Sequence, residues 1–149
     1  MKKSNKKPFI RTTALLIVVL CTLMLFISCG GDQSENGKYG KLNVEIKDFH
    51  IDSRFTGNYL IVTYTFENNS NSNQTFDDCF DEVVYQNGVA LSYGYDFKNY
   101  WNDVKSGATV DVEVSYILSN ATDDIEIEIT VNGEDKIILS KTYSLIESE

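Results

Sequence analysis

Four groups of residues in this chain are of types that could do chemistry. A hydrolytic centre needs a nucleophile, a base and a group to orient the base, and the one histidine, His50, is the only imidazole for that role. It stands on a stretch of alternating apolar and polar residues, where a partly exposed structural side chain is the expectation. Cys79 could act as a nucleophile only by borrowing that same His50 or an unusual base. Its neighbours, Phe76-Asp77-Asp78-Cys79-Phe80-Asp81-Glu82, are acidic, and negative charge nearby disfavours the thiolate. A small buried filler is therefore expected at Cys79. The same stretch offers Asp77, Asp78, Asp81 and Glu82 as hard oxygen ligands for Ca²⁺, which takes six to eight of them. The spacing is not that of a calcium loop, so a solvated loop between sheets is predicted, with Ca²⁺ as the weaker alternative. The last group is Tyr93, Tyr95, Phe97, Tyr100 and Trp101, five aromatics in nine residues. Such rings give rigid amphipathic contact area and can face a sugar or a protein. The competing reading has alternate rings closing the open end of a sandwich, with Trp101 plugging its core.

A fifth chemical position, Cys29, lies where an apolar run stops. Lys2, Lys3, Lys6, Lys7 and Arg11 precede the stretch from Ala14 to Ile27, which ends in Ser28-Cys29 with Gly30-Gly31 behind. This is the layout of a secretion signal, and a small residue directly before a cysteine resembles a bacterial lipobox. In lipoproteins that cysteine takes a thioether-linked diacylglyceryl group and cleavage falls just before it. The run of about 14 residues is short of the roughly 20 that span a bilayer. The expected organisation is a signal peptide over residues 1–28, a lipidated cysteine and flexible tether over 29–38, and one domain over 39–149. Localisation follows: a lipid anchor in the cell membrane, with the domain on the extracellular face.

Beyond Cys29 lie all 22 acidic residues and eight of the 13 basic ones, a net charge of −14. Such a charge repels nucleic acid and anionic headgroups, so nucleic acid is excluded as a partner and the domain should stand off from its membrane. Cys79 is left without an intrachain disulfide partner, so the fold must hold by packing. Gly30 to Lys38 contains no apolar residue to bury and reads as a tether, with a reach of roughly 17 Å.

The elements that must position these groups are written in period two. Leu42-Val44-Ile46, Leu60-Val62-Tyr64-Phe66, Val110-Val112-Val114-Tyr116-Leu118 and Ile125-Ile127-Ile129-Val131 each alternate with polar residues, the mark of a strand with one buried face. Ile137 to Leu145 gives a last strand. No helical stripe is visible beyond Cys29. Strands with one wet face predict antiparallel sheets packed as a sandwich. Asn87-Gly88 predicts a type I′ hairpin joining Val83–Gln86 to Val89–Tyr93, with Val84 opposite Leu91 and Tyr85 opposite Ala90. The apolar phase slips between Ile46 and Phe49, which predicts a bulge near Lys47-Asp48, and pairing around Asn132-Gly133 requires a longer loop or a bulge.

Three segments carry a family resemblance: Tyr59–Asn69, Gln86-Asn87-Gly88 with Val89-Ala90-Leu91, and Val104-Lys105-Ser106-Gly107 ahead of Thr109–Leu118. Together they resemble an uncharacterised family of Gram-positive lipoproteins, a domain of unknown function distantly similar to a secreted mycobacterial immunoprotective antigen. The resemblance spans roughly Lys41 to Val131 and implies an immunoglobulin-like sandwich at the cell surface. It carries no catalytic residue and implies no cofactor. A lipid-anchored binding or adhesion module with a protein or glycan partner is the leading expectation. The alternative is a structural or assembly component of the envelope, and a hydrolytic enzyme comes last.

Overall fold

The structure, a computed structural model, describes residues 36–146. Cys29 and the signal segment lie outside the described residues. Among the described residues nine strands follow in chain order: β1 (Asn36–Tyr39), β2 (Leu42–Arg54), β3 (Gly57–Asn68), β4 (Phe80–Gln86), β5 (Val89–Ala90), β6 (Tyr93–Lys98), β7 (Ala108–Ile117), β8 (Ile125–Val131) and β9 (Ile137–Tyr143). They form a five-stranded sheet in the order β1-β2-β3-β7-β6 and a four-stranded sheet in the order β5-β4-β8-β9. Every pairing is antiparallel. The fold is an all-β antiparallel sandwich, as the alternation predicts.

The core lies between the sheets and is filled from the alternating positions. Leu60, Val62, Tyr64 and Phe66 of β3 face Phe80 and Val84 of β4 and Ile125, Ile127 and Ile129 of β8, with Val112, Val114 and Tyr116 of β7 alongside. Val110 is half-buried at the end of this row. In β2 the register shifts between Ile46 and Asp48, so Val44 and Ile46 face Phe66 and Tyr64 while Phe49 and Ile51 face Val62 and Leu60. One extra residue at Lys47 returns the apolar side chains to the inside.

Asn87 and Gly88 both have positive φ, 52° and 72°, as a two-residue I′ turn requires. Tyr85 pairs with Ala90, and the Leu91 amide donates to the Val84 carbonyl at 2.8 Å. The strand expected to continue to Tyr93 instead stops after Ala90. The chain crosses between the sheets at Leu91-Ser92 and enters β6, the edge of the other sheet. At the β8–β9 turn the register shifts between Ile129 and Thr130, the bulge expected beside Asn132-Gly133.

Two further boundaries differ from expectation. The reading of a tether through Lys38 is corrected by β1, because Asn36–Tyr39 pairs with Leu42–Glu45 and Gly37 packs against Ile138 and Val44. A polar sequence can form an edge strand when its backbone is what is bound. The predicted loop over Phe76–Glu82 is instead one helical turn, α1 (Phe76–Cys79), followed directly by β4. Thr75 caps the turn by accepting from the Asp78 amide at 3.0 Å, and Phe76, Cys79 and Phe80 drop into the core.

Candidate functional site

β6 is an edge strand and carries the aromatic run. Its pairing with β7 jumps from Tyr93 opposite Tyr116 to Phe97 opposite Val114, so two extra residues bulge out between them. The bulge folds back over its own sheet: the Asp96 amide donates to Ser115 Oγ at 2.9 Å. Gly94 is needed there, because a Cβ on it would collide with Ser115 Oγ and crowd the Tyr59 ring. Tyr95 is thrown outward and is 85% exposed. Arg54, at the end of β2, pairs with both Asp96 and Asp52 at 2.7 Å and lies over the Tyr59 ring. It thereby ties the bulge to the β2–β3 turn, whose Phe55 is fully exposed.

After β6 the chain turns at Asn99, with φ 59°, braced by donation from Asn99 Nδ2 to the Asp111 carbonyl at 2.9 Å. The turn sends neighbouring rings in opposite directions. Tyr100 goes inward and is 7% exposed, while Trp101 stays outside at 60%. Trp101 is therefore no core plug, and Tyr100 is no binding ring but part of the core. The rings are continuous: Phe76 to Tyr100 at 5.6 Å, Tyr100 to Phe97 at 5.3 Å, Phe97 to Trp101 at 4.9 Å and Phe97 to Tyr93 at 5.8 Å between centroids. Tyr93 (half-exposed) and Trp101 are its exposed members, anchored through Phe97 and Tyr100 to the interior, and Tyr95 stands exposed on the bulge between Tyr93 and Phe97.

Behind this cluster sits a group that sequence reasoning placed in a solvated loop. Glu82 of β4 is 1% exposed. Its two carboxylate oxygens accept from the Tyr100 hydroxyl at 3.1 and 3.2 Å, and its backbone carbonyl accepts from the Tyr93 hydroxyl at 3.1 Å. Burial pushes the carboxyl up to about 7; hydrogen bonds, including that of Tyr100, oppose the shift, and Asp81 adds to it. Burial and the nearby Glu82 charge in turn raise the Tyr93 and Tyr100 phenols. The Tyr64 and Tyr116 hydroxyls, 3.2 Å from each other, complete a buried polar cluster between the sheets.

The calcium alternative is corrected by this geometry. Asp78 and Asp81 are exposed, Asp77 is half-buried and Glu82 points into the core. Among the described residues no three His, Cys, Asp or Glu side chains converge as metal ligands. Cys79 is buried, with its thiol against Gln74 Oε1 at 3.5 Å. Burial first, and Asp78 second, push it up to about 11, so the reactive thiolate is scarce near neutrality. His50 is exposed on β2, opposite Ile61.

Residues 28–131 match the family described as "Domain of unknown function (DUF5067)". The chain belongs to this family. The DUF5067 match takes in β1 to β8 and the whole aromatic run. A similar solved structure is that of "a putative lipoprotein from Staphylococcus aureus subsp. aureus NCTC 8325", with a TM-score of 0.59 and 17% identity over 75% of this chain and 89% of that one. At that identity the likeness speaks for the fold. None of the curated proteins matches.

Proposed function

We propose that this DUF5067 chain is a lipoprotein anchored through Cys29 at the extracellular face of a Gram-positive cell membrane, with its sandwich serving as a binding or adhesion module. The anchor is supported by the Ser28-Cys29 junction at the end of the apolar run and by the lipoprotein description of the structurally similar staphylococcal protein. An immunoglobulin-type topology is part of the proposal. Orders β2-β3-β7-β6 and β5-β4-β8-β9 correspond to A-B-E-D and C′-C-F-G of that fold, with β1 added outside.

The observation that carries the binding reading is the placement of Tyr95 and Trp101. Both rings are exposed, Trp101 on the anchored aromatic cluster and Tyr95 on the β6 bulge, and this edge of the five-stranded sheet lies opposite β1, where the chain enters. A surface that holds rigid rings in water and faces away from the entry point suits a protein or glycan partner. Envelope assembly by edge pairing fits less well, since β5 has two residues, β6 is bulged, and β1 and β9 lie against each other.

The test is capture of envelope components by the full-length chain in detergent, compared with its Tyr95→Ser/Trp101→Ser variant. Loss of the captured species, with thermal stability changed by less than about 1 kcal/mol, is expected. Unchanged capture would place the site elsewhere.

A further inference from the structure

We propose that a second copy of this chain docks on the edge of β2, the two β2 strands pairing antiparallel with Ile51 of one copy opposite Ile51 of the other. The inference goes beyond the binding reading and does not depend on it.

β2 outruns its neighbour. β1 pairs with Leu42–Glu45 alone, while β2 runs on to Arg54 and pairs with β3 to its end. Among the described residues no strand lies beside Asp48–Arg54 on the side away from β3. In an antiparallel ladder the backbone groups of successive residues point to opposite neighbours. The Phe49 amide donates to the side chain before it, Asp48 Oδ1, at 2.8 Å, so it faces away from β3, and Ile51 and Ser53 face the same way. Closure of the Phe55-Thr56 turn on Arg54 opposite Gly57 agrees with this phase. These amides and carbonyls form an open edge of the kind that a further strand completes.

The side chains select the strand and its register. In a domain that is strongly acidic, Lys47 to Arg54 is locally balanced, with Asp48 and Asp52 against Lys47 and Arg54. Asp48, His50, Asp52 and Arg54 share the outer face of β2, while half-buried Phe49 and Ile51 share the inner one. Antiparallel pairing centred on Ile51 sets His50 opposite Asp52 of the second copy and Asp48 opposite its Arg54, and the two-fold symmetry repeats both pairs. Its backbone phase is also correct: Ile51 meets Ile51, and the Ser53 amide meets the Phe49 carbonyl. Asp52 accepts from Arg54 of its own chain through Oδ2, which leaves Oδ1 for the imidazole of the second copy. Arg54 is already engaged by Asp52 and Asp96, so opposite Asp48 it adds attraction rather than a close ion pair. A slide by two residues, the smallest that keeps the backbone in phase, sets His50 on His50 and Asp48 on Asp52 in one direction and Asp52 on Asp52 in the other. Like charges directly opposite are destabilising. β1 stops beside Glu45 and does not overlap the paired stretch. Because both copies use the same patch, the pairing closes at two and does not grow into an open assembly.

Paired cysteines read the register. Two differently tagged full-length chains, one His50→Cys and the other Asp52→Cys, are co-expressed and oxidised in the cell with copper phenanthroline. In a non-hydrogen-bonded antiparallel pair the Cα atoms lie about 4.5 Å apart, within disulfide range, and the reciprocal Asp52–His50 contact stays intact in this mixture. A disulfide-linked species carrying both tags is expected from it. None is expected from two His50→Cys chains or two Asp52→Cys chains, whose cysteines would stand roughly 8 Å apart. No linked species from the mixture, or equal yields from all three combinations, would overturn the proposal. Hydrogen exchange of the wild-type full-length chain in detergent, followed against concentration, needs no substitution and decides the matter if a variant fails to fold. The Ile51 and Ser53 amides are expected to exchange fast when dilute and slowly when concentrated. Fast exchange throughout overturns the pairing. So does slow exchange throughout without a linked species, which would mean that the segment ahead of Asn36 covers the edge. Neither measurement involves the β6 edge, so the binding reading stands or falls separately.

Discussion

A buried carboxyl held neutral makes the stability of the sandwich depend on pH with an unusual sign. In the unfolded chain Glu82 ionises from 4.5 upward, whereas in the fold it keeps its proton to about 7. Between those values the folded state binds one more proton than the unfolded state. The stability contributed is therefore fully present below 4.5 and is lost as pH rises through 7, at about 1.4 kcal/mol per pH unit. Across the window this amounts to roughly 3 kcal/mol, a large part of a small domain's total. Half-buried carboxylates held low by hydrogen bonds from neighbours, such as Asp111 beside Lys47 and Asp123 beside Asn87 and Asn120, act in the opposite sense: their contribution disappears as pH falls below the ordinary carboxylate range. The comparison with Glu82→Gln cancels them. Urea unfolding of the full-length chain in dodecyl maltoside, followed by circular dichroism, should give a wild-type midpoint that drops by roughly 2 M between pH 4.5 and 7.5 relative to the variant. Above pH 7 Glu82→Gln should be the more stable protein. Two curves that remain parallel across the window would refute the reasoning, since a carboxyl with equal affinity for its proton in both states cannot produce a slope.

Three further outcomes follow from the packing. Val112→Asp should abolish the β-sheet circular dichroism signal, because an unpaired charge would lie at a fully buried position opposite Tyr64, at a cost of several kcal/mol. Gly94→Ala should cost about 1–3 kcal/mol in thermal or urea unfolding, because the new methyl meets Ser115 beneath the β6 bulge; an unchanged melting curve would mean the bulge is not seated as described. Cys79, buried with its thiol pushed up to about 11, should resist maleimide in the native protein and react after unfolding. Peptide mass spectrometry reads that site separately from the other cysteines.

The parts of the fold legible in the sequence are those whose inward positions are all apolar. β2, β3, β7 and β8 alternate cleanly, the phase slip in β2 marks its bulge, and Asn87-Gly88 marks its turn, because in each case a local rule coincides with burial. In β4 the hairpin marks Val83–Gln86, but the first part, Phe80–Glu82, is obscured by a polar residue in its inward row. Phe80, Glu82, Val84 and Gln86 all face inside, but Glu82 is satisfied by Tyr100, and Gln86 bonds the backbone of Ser119, Asn120 and Asp123. Those partners come from distant segments, so the acidic run alone reads Phe80–Glu82 as loop. Polar residues repeating in step with Phe80 and Val84 were the available signal.

For the site, the sequence pointed to the segment but not to the direction of each ring. Alternation carries Tyr93, Tyr95 and Phe97 to one face only if β6 is regular, and its two-residue bulge breaks that phase. The positive φ of Asn99 then decides that Tyr100 is buried and Trp101 exposed. Phe55 was passed over because its relation to Tyr95 runs through Arg54 and Asp96, a contact between segments far apart in sequence.

The central claim is that the β6 edge meets the partner, and site-directed photocrosslinking on the native cell tests it most directly. Replacing Tyr95 with p-benzoylphenylalanine places the probe on the exposed bulge, and replacing Glu126 places it on the outer side of β8 in the other sheet. A discrete crosslinked species from position 95 and none from position 126 is the expected result. The same species from both positions, or from position 126 alone, would contradict the assignment of the binding surface to the β6 edge.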